Sequence, residues 1–131
     1  MSKPTQKDAE LLMRLYELGH SPDMYRTWEW VMMLKEQTYE DFIKENPMGS
    51  EGFFRFHSIC GFYEMVGILL KYGAMNEDMV MDFHSTVWNK LGPIVKGLRK
   101  EFGSQRLFEN YEWLAKRKAE WVKEHPPVFP Q

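Results

Sequence analysis

The chain holds one cysteine, Cys60, among its 131 residues. A lone thiol closes no intramolecular disulfide, so the fold must stand on packing, and a reducing, cytoplasmic setting is expected. No long uninterrupted apolar run is present either. The longest apolar-rich stretch, Ile59 to Leu70, covers 12 positions and includes Glu64, whereas a bilayer crossing needs about 20 residues. The opening residues MSKPTQKDAE are polar and lack the apolar centre of a signal peptide, so no membrane association is expected. Also missing are a phosphate-cradling glycine loop, a nucleophile elbow and a zinc-ligand array. Reactions with familiar signatures leave none here, so the reading leans away from an enzyme and no cofactor is implied. Period-2 alternation is absent throughout, which excludes a strand-built fold.

Large apolar side chains are plentiful. Aromatics make up 15% of the chain and there are ten methionines, within an otherwise ordinary 44% hydrophobic and 27% charged composition. Such a surplus means a generous core or an apolar surface kept for a partner. The net charge of −2 is unevenly spread. Residues 1–89 carry 8 Lys or Arg against 14 Asp or Glu, and residues 90–131 carry 9 against 5. The plain account of that asymmetry is a solvated surface, although it also suits head-to-tail contacts.

The punctuation is helical. Leu11, Leu12, Leu15 and Leu18 share one face of a first helix that Gly19 stops. Ser21-Pro22-Asp23 opens a second, MYRTWEWVMMLKE, with a capping serine, a first-turn proline and an acid at its start. That helix is apolar on two sides: Met24, Trp28 and Val31 on one, Trp30, Met33 and Leu34 on the other. Two apolar sides imply burial or sharing with another chain. Thr38 and Asp41 resemble a capping box before YEDFIKEN. A central helix from about Glu51 to Tyr72 ends at Gly73, and Asn76 caps a helix expected to reach Leu91, where Gly92-Pro93 breaks or kinks it. A short segment, IVKGLRKEF, follows, and Ser104 is expected to cap the last helix from Gln105. The expectation is an all-α, single-domain bundle of five or six helices over residues 1–131, with flexible tails at 1–7 and 124–131.

Within the central helix, His57, Cys60, Glu64 and Lys71 fall in one narrow arc, with Gly67 beside them. The plainest reading is a wet stripe at the edge of the bundle. An alternative follows from the short Gly73–Met75 connection, which makes the next helix an antiparallel neighbour and sets His84 level with Glu64. A Glu64–His84 pair would fix helix register, act as acid and base, or join His57 and Cys60 around a small molecule or metal. The metal signal is weak, because H-x-x-C occurs once without a second pair. Gly61 and Gly67 inside the same helix point to close packing, against Trp88 or the neighbours of Tyr63.

Lys96, Arg99, Lys100 and Arg106 gather near Phe102 and Phe108. Basic residues among aromatics hold nucleic acid in some proteins, but this chain is slightly acidic and shows no recognition motif, so nucleic acid is not the expected partner. Trp113 falls off the core stripe of the last helix and joins Trp28, Trp30 and Met33 as an interface candidate.

Three segments, SPDMYRTWEWV, SICGFYEMVGILLKYGAMNEDMV and QRLFENYEWLAKRK, resemble a family of small bacterial helical proteins catalogued only as a domain of unknown function. The likeness covers about residues 10 to 120. It runs through Ile59, Cys60, Phe62, Tyr63, Glu64, Val66, Gly67 and Leu69, then Glu77, Asp78 and Trp88, and ends on Tyr111, Glu112, Trp113 and Leu114. It implies a helical fold and no established activity. The residues themselves favour a non-catalytic module acting through protein contacts, self-association included, with a site at His57, Cys60, Glu64 and His84 as the alternative.

Overall fold

The computed structural model describes residues 3–130. Among the described residues seven helices follow one another: α1 (Gln6–Gly19), α2 (Pro22–Met33), α3 (Tyr39–Glu45), α4 (Glu51–Lys71), α5 (Glu77–Phe83), α6 (Trp88–Phe102) and α7 (Glu109–Glu124). No strand occurs among the described residues. The class is all-α as expected, with more helices than the five or six anticipated. Of the stretches read as tails, residues 5–7 open α1 through a Thr5–Asp8 capping box, and residues 126–130 are non-helical. Met1, Ser2 and Gln131 lie outside the described residues.

The architecture is organised around α4. Its 21 residues span about 31 Å. Phe56, Ile59, Cys60, Phe62, Tyr63, Val66, Gly67 and Leu70 are all buried, on more than one side of the helix. It packs against α7 on one flank and α2 on another, while α3 packs on α6 and α1 bridges α2 and α5. By length and composition α4 is apolar enough to cross a membrane. The 12-residue stretch understated it, since the helix continues well beyond Ile59 to Leu70. Its apolar character is explained by its place inside the bundle.

Two helix boundaries depart from expectation for a common reason. The helix expected over residues 77–91 stops at Phe83, and residues 84–87 are unwound before α6 begins. The backbone carbonyls freed there find partners: Tyr63 donates its hydroxyl to Ser85 O at 2.5 Å, and Tyr111 donates to Thr86 O. These two tyrosines stack at 4.8 Å, one from α4 and one from α7, and burial drives both phenols well above their ordinary range. Gly92 and Pro93 do not end a helix. They lie within α6, and Gly92 makes room for the Trp88 ring, which a Cβ there would meet at 2.7 Å.

At the other boundary, α7 starts at Glu109 rather than after Ser104. Gly103, in the left-handed region at φ 62°, closes α6, with Ser104 N donating to Arg99 O at 3.0 Å. Phe108 is also left-handed, at φ 54°, and provides no side-chain cap for α7. In both places, side chains distant in sequence satisfy the broken backbone.

Candidate functional site

The stripe on α4 borders its contact with α7: His57 and Lys71 are exposed as a wet edge would be, but Glu64 is half-buried and engaged. Glu64 Oε1 accepts from the Tyr111 backbone N–H at 2.9 Å, and Oε2 accepts from Asn110 Nδ2 at 2.8 Å. Tyr111 is the third residue of α7, so Glu64 caps from another helix the first turn that Phe108 leaves open, and sits where the helix dipole favours an anion. One turn further along α4, Gly67 lies so close that a Cβ would approach Asn110 O to 2.3 Å. Lys71 Nζ donates to Asn110 Oδ1 at 3.3 Å, and His57 meets Phe108 edge-on at 5.5 Å.

The structure does not form the expected Glu64–His84 pair. The carboxylate is engaged by α7, and His84 lies beyond the end of α5 with its ring against Phe62 and Phe83. Cys60 is fully buried, and its thiol is pushed well above the ordinary range, first by burial and then by Glu64. A thiol in that state is not a ready nucleophile. Among the described residues, no group of three or more His, Cys, Asp or Glu is placed to hold a metal ion. The four residues read as one site therefore divide: His57, Cys60 and Glu64 belong to the helix contact, and His84 belongs elsewhere.

His84 helps to line a cavity of about 250 Å3 with Gly19, His20, Tyr25, Trp28, Phe83 and Ser85. Trp28, proposed as an interface residue, is half-buried there and donates Nε1 to Gly19 O at 2.9 Å. Trp30 is half-buried too, edge-on to Phe42 at 6.2 Å, and Trp113 packs on the core. Only Met33 of the four is openly exposed, at 83%, and its neighbour Met32 stands out at 70%. Tyr16 and Tyr25 are exposed as well. The spacing of Tyr25, Glu29 and Met32 on α2 carried that signal, because residues at i, i+4 and i+7 share a face.

The basic cluster divides, with Lys96, Lys100 and Arg106 exposed and Arg99 turned into the fold. Arg99 is 8% exposed, donates to Leu107 O and is paired with Glu112 at 2.6 Å, while Phe108 is buried. That ion pair holds the Glu112 carboxyl below its usual range. A second polar seam ties α5 to α7, where Arg117 pairs with Glu77, Trp121 Nε1 donates to Asp78 at 2.9 Å, and Lys118 donates to Met81 O.

These features define a small helical bundle in which a few ionisable groups, Glu64, Arg99 and Arg117 among them, tie helices together, with an aromatic cavity at a corner. Residues 4–118 match the family described as a domain of unknown function, DUF4760, and the chain belongs to it. No curated protein and no solved structure matches the chain.

Proposed function

We infer that the protein is a non-catalytic module of the cytosol that works through protein contacts, beginning with copies of itself. The observation that carries this is the pair of bare methionines closing α2, Met32 and Met33, exposed at 70% and 83%. Methionine is flexible and polarizable and adapts to varied partner surfaces. A pair of them at a helix end, followed by half-buried Leu34, is apolar surface for which the fold itself has no use. The seam between α4 and α7 supports the non-catalytic part, since Glu64 and Cys60 are both committed to packing.

Light scattering across a concentration series tests the reading. The mass is expected to rise above the 15.7 kDa of one chain, and replacing Met32 and Met33 by serine is expected to weaken that rise. A single-chain mass at every concentration would remove self-association.

A further inference from the structure

The corner cavity lies where the end of α1, the start of α2 and the unwound segment after α5 meet. Its walls are aromatic: Tyr25, Trp28 and Phe83. Two polar groups around it are already engaged, since Trp28 donates to Gly19 O and Ser85 O accepts from Tyr63. The two imidazoles are different. His20 Nδ1 lies 2.9 Å from Tyr16 O, which can only accept, so Nδ1 carries the proton and Nε2 of the neutral ring is a bare acceptor. His84 Nε2 is closed off from solvent and has no hydrogen-bond partner.

A buried polar atom without a partner calls for an explanation. The His84 ring is held by edge contacts, to Phe62 at 5.8 Å and to Phe83 at 4.7 Å, and no hydrogen bond fixes it. Its last torsion is a broad and roughly two-fold one, the ring is part of the cavity lining, and a turn of the ring is what the binding proposed below requires. Burial and nearby His20 keep this imidazole neutral, lowering its pKa to about 4. The lining contains no lysine, arginine or carboxylate.

We propose that this cavity binds a small planar aromatic molecule carrying one O–H or N–H donor, a phenol or an indole in chemical class. The ring lies among Trp28, Tyr25 and Phe83, where edge-on and offset contacts between aromatic faces are favourable. The donor meets the His84 nitrogen that lacks a partner. A volume of about 250 Å3 sits just below the usual range for drug-sized ligands and suits one ring system. Anions are disfavoured because no fixed positive charge lines the space. Cations are disfavoured because no carboxylate lines it either. This site is independent of the methionine surface and does not require self-association.

The test is an NMR titration of the full chain with phenol, and with toluene as the same shape lacking the donor. Saturable shifts of the His84, His20 and Trp28 side-chain signals are expected with phenol at about millimolar affinity, and toluene is expected to bind about tenfold more weakly. His84→Phe keeps the wall and removes the nitrogen, so phenol should fall to the toluene level. Should that variant not fold, Tyr25→Ala, on the exposed rim, is expected to weaken both probes together. Equal binding of phenol and toluene by the native chain overturns the proposal, as do shifts confined to other residues. An absence of saturation at about 10 mM phenol overturns it too.

Discussion

The seam between α4 and α7 and the corner around His84 each set an ionisable side chain among apolar neighbours, with opposite outcomes. In the seam, both oxygens of Glu64 are occupied, one by a backbone N–H and one by Asn110. The same asparagine takes Lys71 on its oxygen, and its backbone crowds Gly67. About two turns of α4 are thereby locked to the first turn of α7. In the corner, the His84 ring touches two phenylalanines and leaves a buried nitrogen unbonded. A polar group with its full complement of partners sets register; one left short marks spare bonding capacity, and capacity of that kind is where a ligand gains most.

The comparison breaks first at Gly67. A Cβ at that position would lie 2.3 Å from a backbone oxygen, which cannot swing aside as a side chain can. Gly67→Ala is expected to lower unfolding free energy by about 3 kcal/mol, measured by urea denaturation. That is a large share of the roughly 5–15 kcal/mol typical of a domain. Glu64→Ala comes next. It uncaps α7 and strands the Tyr111 N–H, at an expected cost of about 2 kcal/mol. Glu64→Gln, which keeps an acceptor for Tyr111, should cost about half as much. An unchanged midpoint for Glu64→Ala would mean the seam is held by Gly67 and the aromatic contacts without its carboxylate.

The corner is sharpened by pH. An unfolded His84 titrates near 6.5 and the folded one at about 4, so the unfolded chain binds the extra proton between those values. Stability from keeping this imidazole neutral is therefore complete above pH 6.5 and is lost as the pH falls toward 4. The ring is partly exposed, so the loss should be about 1–2 kcal/mol rather than the full value of the shift. Lowered Asp8 and Glu112 carboxyls lose stability at still lower pH, in the same direction. His84→Phe isolates the histidine part. Denaturation midpoints of native and variant protein that run parallel from pH 7 to pH 4 would show that His84 is not protonated on unfolding.

Much of the architecture was legible because helix punctuation is local. Ser21, Thr38 and Asn76 each cap a helix with a side chain three residues from the N–H it accepts, whereas Thr5, which does the same, was read as part of a tail. The expectations failed where the partner was distant. Nothing near Ser104 announces that Glu64, 47 positions before Tyr111, caps α7. Nor does anything near His84 announce that Tyr63 and Tyr111 take up the carbonyls of an unwound turn. The arc of His57, Cys60 and Glu64 was correctly grouped on one face. Its meaning depended on which helix that face meets, and that is a tertiary fact. His84 was misplaced because its helix ended eight residues early, which carried the side chain off the expected face.

The smallest expected effect bears on the other glycine of α4. Gly61 and Gly67 look alike in sequence, six residues apart in one helix, and close packing was expected of both. Gly67 meets that expectation, whereas a Cβ on Gly61 would find nothing within 4 Å. Gly61 keeps the conformational cost of glycine in a helix without a steric reason. Gly61→Ala should therefore raise stability by about 0.5–1 kcal/mol, seen as an upward shift of the urea midpoint at unchanged slope. Substitutions of opposite sign six residues apart on one helix would locate the close approach at the α7 side alone. A loss at Gly61 would instead reveal a neighbour against that surface that the isolated chain does not supply, as self-association through this flank requires.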